Sequence, residues 1–182
     1  LCLAMEYLEG MELSKVLAQE APLPAARAVH ILKQVVKSIA EAHSIGLIHR
    51  DVKPDNVFLS DVYGEQDFVK VLGFGIAKVV NDEELANLTQ TGFICGTPTY
   101  LAPEVALGTT ITPATDIYSI GVLAYEMLTG RPPFTGETAI AVVMKHIHNA
   151  VPPFVPDPTL PVPLKNLVRQ MLAKDPAHRP PN

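Results

Sequence analysis

His49-Arg50-Asp51-Val52-Lys53-Pro54-Asp55-Asn56 places a carboxylate, an ammonium and a carboxamide on one short stretch of chain. Upstream, Pro24 stands at the first position of a helix that ends before Gly46. In it Val29, Leu32, Val35, Val36, Ile39 and Ala40 follow the i, i+3, i+4, i+7 stripe of a helix with one buried face. Downstream, residues 57–60 and 68–72 predict two short strands joined by a turn around 61–64, a small hairpin. The three polar groups therefore sit on a loop between a helix and a strand. Further out, the spacing predicts helices over 12–19, 137–148 and 164–173. The run 116–129 is apolar nearly all round, the mark of a helix through the middle of a core, with Gly130 as its stop. The opening 1–7 reads as strand-like. Residues 73–100 lack a strong period and read as a functional loop.

The chain has 182 residues, 48% apolar and 18% charged, which describes a globular domain with room for a core and excludes overall disorder. Lys plus Arg at 14 against Asp plus Glu at 19 gives a net charge of -5, which opposes a polyanion and argues against nucleic acid as a partner. Cys2 and Cys95 lie outside any zinc or disulfide spacing, which fits a reducing cytosol and a cytoplasmic location. The apolar run that includes Ile117 to Thr129 carries Glu126 and is too short to cross a bilayer, and the N-terminal residues lack a signal-peptide pattern. His146 and His148, at i and i+2, do not share a helix face, so they read as solvated or packed side chains and not as metal ligands. Asp82-Glu83-Glu84 reads as a solvated loop, and Cys95 as an inert thiol.

The Asp51, Lys53 and Asn56 trio suits phosphoryl transfer. That reaction asks for a carboxylate to orient and deprotonate an attacking hydroxyl, a cation to neutralise charge on the transferred group, and oxygen ligands for magnesium. At this point the sequence resembles the protein kinase family, whose catalytic loop is H-R-D-L-x-x-x-N and whose later markers are D-F-G and A-P-E. Ala102-Pro103-Glu104 supplies the last of these. By that resemblance Asp51 is the catalytic base, Lys53 contacts the γ-phosphate as in serine/threonine-specific members, and Asn56 holds a magnesium ion. Gly96-Thr97-Pro98-Thr99-Tyr100 is similar to the segment that receives the residue after the acceptor, with Thr97 hydrogen-bonded near Asp51 and Lys53. Asp116-Ile117-Tyr118-Ser119-Ile120-Gly121 resembles the start of the family's buried central helix. Asp116 is then expected to bond the backbone of the His49-Arg50 turn, Arg179 to pair with Glu104, and His49 to be structural and lie near Phe74. Met5-Glu6-Tyr7-Leu8 resembles the hinge. There backbone groups of Glu6 and Leu8 would meet adenine, with Met5 as gatekeeper, Glu12 near the ribose and Phe58 as the pocket floor. Thr89-Gln90-Thr91 is similar to an activation-loop phosphorylation motif of several bacterial kinases of the serine/threonine type, and a phosphate there would pair with Arg50.

The chain also departs from the family pattern. Where the family has D-F-G it reads Gly73-Phe74-Gly75, and glycine offers no carboxylate, so magnesium would keep only Asn56 and waters. The family's Gly-rich phosphate loop, strand lysine and helix glutamate have no counterpart, and Lys15 and Lys33, in helix-like segments beyond the hinge, do not replace them. The expectation is one partial protein kinase-like domain over 1–182, with the hinge at 1–10 and the C-lobe at 11–182, truncated near Asn182. Its class is α+β: a mainly α-helical C-terminal lobe with a small β-hairpin and no N-lobe. The resemblance implies a parent protein that moves the γ-phosphate of ATP to serine or threonine of a protein substrate. ATP and Mg2+ are its cofactors, both weakened or lost in this chain, and the missing N-lobe is a partner in the parent. The fragment itself is expected to be inactive. The alternative is a pseudokinase or scaffold module without phosphotransfer, because Gly73 replaces the metal-binding aspartate.

Overall fold

The computed structural model describes residues 6–62, 64–74, 98–154 and 160–181. Met5, Thr89, Thr91, Cys95, Thr97 and the acidic run 82–84 lie outside the described residues, as does most of the opening stretch. The elements are β1 (Met11–Glu12), α1 (Leu13–Glu20), α2 (Ala25–Ser44), β2 (Val57–Val62), β3 (Glu65–Val71), α3 (Pro103–Ala106), α4 (Pro113–Thr129), α5 (Ala139–His148) and α6 (Val162–Met171). The fold is mainly helical with one small antiparallel sheet in the order β1-β2-β3.

The core is built around α4. Thr112 and Thr115 close a capping box at its start, with Pro113 in the first turn, and the helix ends at Gly130. Tyr118, Ile120, Val122, Leu123 and Met127 are fully buried in it. Burying each such side chain contributes about 1.5–3 kcal/mol before the entropy of ordering is subtracted. Helices α2 and α6 both pack on α4, and most residues of α4 are buried, as its apolar circumference leads one to expect.

The face α2 turns to the core differs from the expected stripe. Ala28, Ile31, Val35, Ile39, Ala42 and His43 are buried, whereas Val29 and Leu32 are half-buried and Val36 is exposed. The real stripe keeps the i+3, i+4 spacing but is rotated by about one residue. Small Ala28 and Ala42 permit close approach, and His43 is buried because it bonds a carboxylate of α4. The strands at 57–62 and 65–71 form the expected hairpin, with Val57 opposite Val71 and Leu59 opposite Val69.

A third strand was not foreseen. Met11 pairs with Leu59 and Glu12 with Phe58, so the expected start of the first helix at residue 12 moves to Leu13. Gly10 makes this approach possible: its φ is 139°, and a Cβ there would sit 2.0 Å from the Leu59 carbonyl oxygen. Gly10→Ala is therefore expected to destabilise the fold by about 1–3 kcal/mol, the usual range for overpacking. The check is a lower urea midpoint at unchanged m-value.

Candidate active site

The 49–56 loop is held from behind by Asp116, a fully buried carboxylate in the first turn of α4. Its Oδ1 accepts from the Arg50 backbone N–H at 2.8 Å, and its Oδ2 accepts from the His49 N–H at 2.8 Å. The Nε2 of His43 lies 2.7 Å from the same Oδ2. These bonds fix a turn in which Arg50 takes a φ of 68°, a conformation a non-glycine residue keeps only when its surroundings impose it. The expected bond from Asp116 to the His49-Arg50 turn is thus present in the geometry.

His49 locks the next step of the chain. The Asp51 N–H donates to His49 Nδ1 at 3.2 Å, so Nδ1 is the acceptor and Nε2 carries the proton that it donates to the Leu72 carbonyl at 2.8 Å. The ring meets Phe74 edge-on, with centroids 4.6 Å apart. A 3-10 turn over Pro54–Asn56 then folds Asn56 back on the loop. Asn56 Nδ2 donates to the Asp51 carbonyl at 2.7 Å and to Asp51 Oδ2 at 2.9 Å, and Lys53 Nζ lies 2.8 Å from that same Oδ2. Asp51 and Lys53 keep 45% and 36% of their side chains exposed, so a carboxylate and its cation face solvent with a carboxamide braced behind them.

Gly73 belongs to this group. The Leu72 N–H donates to the Asn56 carbonyl at 2.8 Å, which sets residue 73 beside the Asn56 side chain. A Cβ on Gly73 would lie 3.4 Å from Asn56 Nδ2 and 3.5 Å from Oδ1, ordinary contact distances, at a φ of 85°. A Cβ fits at this position, and the glycine supplies no carboxylate. Toward magnesium, Asn56 offers one carboxamide oxygen and Gly73 offers no side-chain ligand, where such ions are usually held by one or two carboxylates together with phosphate oxygens. Among the described residues no group of three or more His, Cys, Asp and Glu side chains is arranged to hold a metal.

Glu6, Leu8, Glu12 and Phe58 come together around a cavity of about 580 Å³ that Val71 and Leu72 also line. Glu6 is tied to Lys70 of β3 at 2.5 Å, and Lys15 holds the Glu12 carboxyl below its usual range. Arg179 and Glu104 form the expected buried pair, with contacts of 2.6 Å and 2.8 Å. Thr115 adds a hydrogen bond to Glu104 at 2.9 Å.

The sequence reading did not single out Tyr100, Ser119 or Glu126. The Tyr100 hydroxyl donates to Glu126 on α4, and Ser119 donates to the Tyr100 carbonyl at 2.8 Å, so α4 also anchors the turn at Pro98–Tyr100. Burial pushes the Glu126 carboxyl up, the Tyr100 bond pulls it down, and the nearby Asp55 charge pushes it up again, for a net rise. The usable signal was Glu126 itself, the one acid within the apolar run 117–129.

Known proteins match this sequence along nearly its whole length. Residues 1–181 match the model of the protein kinase domain. The chain is 40% identical over 184 residues to the serine/threonine-protein kinase pkn3 of Myxococcus xanthus, covering 99% of this chain and 34% of that protein. It is 43% identical over 177 residues to the serine/threonine-protein kinase PknA of Mycobacterium tuberculosis, covering 97% of this chain and 39% of that one. With PrkC of Bacillus subtilis the identity is 38% over 178 residues, 97% of this chain and 26% of the relative. The chain thus spans 26% to 39% of the length of these curated relatives. An Asp116-braced 49–56 loop, the Glu104–Arg179 pair and a match along nearly the whole sequence have one common explanation: the chain belongs to the protein kinase domain family.

Proposed function

We propose that the protein carrying this chain transfers the γ-phosphate of ATP to a serine or threonine hydroxyl of a protein substrate. The observation that carries the reading is the cluster of Asp51, Lys53 and Asn56 on one braced loop. Asp51 orients the acceptor hydroxyl and takes its proton at the carboxylate. Lys53 sits where it can offset charge on the phosphoryl group, and Asn56 fixes the angle of Asp51 through two hydrogen bonds. Asn56 Oδ1 is the side-chain oxygen available to a magnesium ion, which would lend charge neutralisation to the phosphates when bound. The cavity bounded by Glu6, Leu8, Glu12 and Phe58 is the adenosine side of the nucleotide site in this reading, with Met5 as gatekeeper. Thr97 belongs to the acceptor side. Thr89 and Thr91 are regulatory positions whose phosphate would pair with Arg50. The setting is cytoplasmic, where ATP is supplied. Among the described residues, no helix is long and apolar enough to cross a membrane.

A second reading rests on Gly73. A domain that keeps the braced loop and lacks the neighbouring carboxylate fits a pseudokinase that binds or scaffolds without transferring phosphate. Labelled-phosphate transfer from ATP with magnesium, run on the intact protein as Gly73, Gly73→Asp and Asp51→Asn versions, separates the two. Gly73→Asp is expected to raise transfer about ten- to a hundredfold, the range by which support of a metal site alters activity. The new side chain meets Asn56 at ordinary contact distance, and aspartate tolerates the left-handed backbone better than most residues. Transfer by the Gly73 form that Asp51→Asn abolishes supports the kinase. Transfer by Gly73→Asp alone supports the pseudokinase, and no transfer by any version overturns the reading of the loop.

A further inference from the structure

We propose that His146 is an acid-sensitive clasp that holds α5 against the turn at Pro98–Tyr100, and that protonating its ring releases both elements. His146 is fully buried although it lies on a short surface helix. Its Nδ1 is 2.9 Å from the hydroxyl of Tyr118, itself fully buried on α4, and its ring meets Phe134 edge-on with centroids 4.9 Å apart. Among the described residues its Nε2 is buried without a hydrogen-bond partner. The backbone of Thr99, from the 98–100 turn, faces the ring.

Among the described residues, the charged groups that other elements bring to the clasp are Lys174, Arg179 and Glu104. Lys174, just after α6, donates to the His146 carbonyl at 2.6 Å and sits 4.4 Å over the Phe134 ring. The Arg179 guanidinium lies 4.9 Å over the Tyr118 ring. Glu104, from α3, is already bound by both Arg179 terminal nitrogens and by Thr115. On α5 itself, Lys145 is bonded to the Thr135 carbonyl, and His148 is exposed. None of these offers a carboxylate to an imidazolium.

A protonated ring carries N–H on both nitrogens. Nδ1 must then donate to the Tyr118 oxygen, whose own hydroxyl proton is left to find another acceptor, and Nε2 has only the Thr99 backbone to turn to. Burial first, and Lys174 second, push the ring from 6.5 down to about 4, against the smaller pull of the Thr99 backbone. The released ring therefore binds protons more tightly than the clasped one. Between about pH 6.5 and 4, release becomes more favourable by roughly tenfold per pH unit as the solution is acidified.

Hydrogen exchange on the intact protein at pH 7 and pH 5, corrected for chemical exchange rates, tests the clasp. Opening of peptides covering 139–148 and 98–101 is expected to rise at least about tenfold relative to 25–44 in α2. His146→Asn, which keeps an amide opposite Tyr118, should flatten that rise. An equal rise in all three regions, or an undiminished rise in His146→Asn, overturns the proposal. If that variant fails to fold, an NMR titration of the wild-type ring decides. A ring that stays neutral to below pH 5 in the clasped state is the expected result, and titration near 6.5 with unchanged exchange overturns it.

Discussion

If the protein carrying this chain transfers phosphate as proposed, Asp51→Asn is expected to lower that transfer about 10²- to 10⁴-fold, the share that a positioned acid–base group contributes. The wild-type carboxylate accepts two charge-relevant bonds at one oxygen, from Asn56 Nδ2 at 2.9 Å and from Lys53 Nζ at 2.8 Å. An asparagine keeps the shape and can still offer its Oδ1 to both donors, but it carries no charge and has no basic site for the acceptor proton. The fold should barely register the change. Asp51 and Lys53 are both well exposed, and an exposed pair of this kind contributes about 1 kcal/mol or less. The signature is a collapse of kcat with a nearly unchanged melting temperature. Near wild-type transfer by Asp51→Asn would sink the role given to Asp51, and an equal loss of stability and activity would mean that the bracing of the loop was disturbed instead.

What was legible in the sequence was local or heavily over-determined. The 49–56 loop could be read because its polar groups are close neighbours in the chain, and its bracing by Asp116 followed from the family resemblance. Helix α4 could be read because a nearly all-apolar run closed by a glycine has few other uses, whereas its true start at Pro113 behind the Thr112 cap was not read. The phase of α2 was missed because Ala28 and Ala42 carry little hydrophobic signal, while buried His43 counts as polar until Asp116, 73 residues away, is seen beside it. Strand β1 was missed because two residues carry no period; what places them is the bare Cα of Gly10 against β2. The same reason hid the tie between Tyr100 and Glu126. The i, i+2 spacing put His146 and His148 on different helix faces, and it carried no trace of the Tyr118 hydroxyl that makes His146 a core residue. Position 73 was legible as a missing carboxylate, whereas its contact distance to Asn56 belongs to the folded chain alone.

Arg179→Met is expected to destabilise the fold by about 3–5 kcal/mol at pH 7, the range for leaving one member of a buried ion pair without its partner. The wild-type guanidinium spends every donor: Nε on the Ala173 carbonyl, Nη1 on Glu104 and the Ala114 carbonyl, Nη2 on Glu104 and the Lys174 carbonyl. It therefore ties α3, the start of α4 and the C-terminal turn into one unit. Without it Glu104, 4% exposed, keeps only the Thr115 hydroxyl and a backbone N–H. The pH dependence identifies the cause. Burial alone would raise the Glu104 carboxyl, but Arg179, the backbone N–H and Thr115 together bring it below the ordinary 4.5. In the wild type its contribution is complete above about 4.5 and is lost as pH falls through the lower folded value. In Arg179→Met burial dominates, the carboxyl rises above 4.5, and acid neutralises the stranded charge while the protein is still folded. The gap between the two urea midpoints should therefore be widest at pH 7 and narrow toward pH 4.5, and Glu104→Met with Arg179→Met should recover much of it. A gap that does not change with pH would assign the loss to the packing of the arginine stem and not to the buried charge.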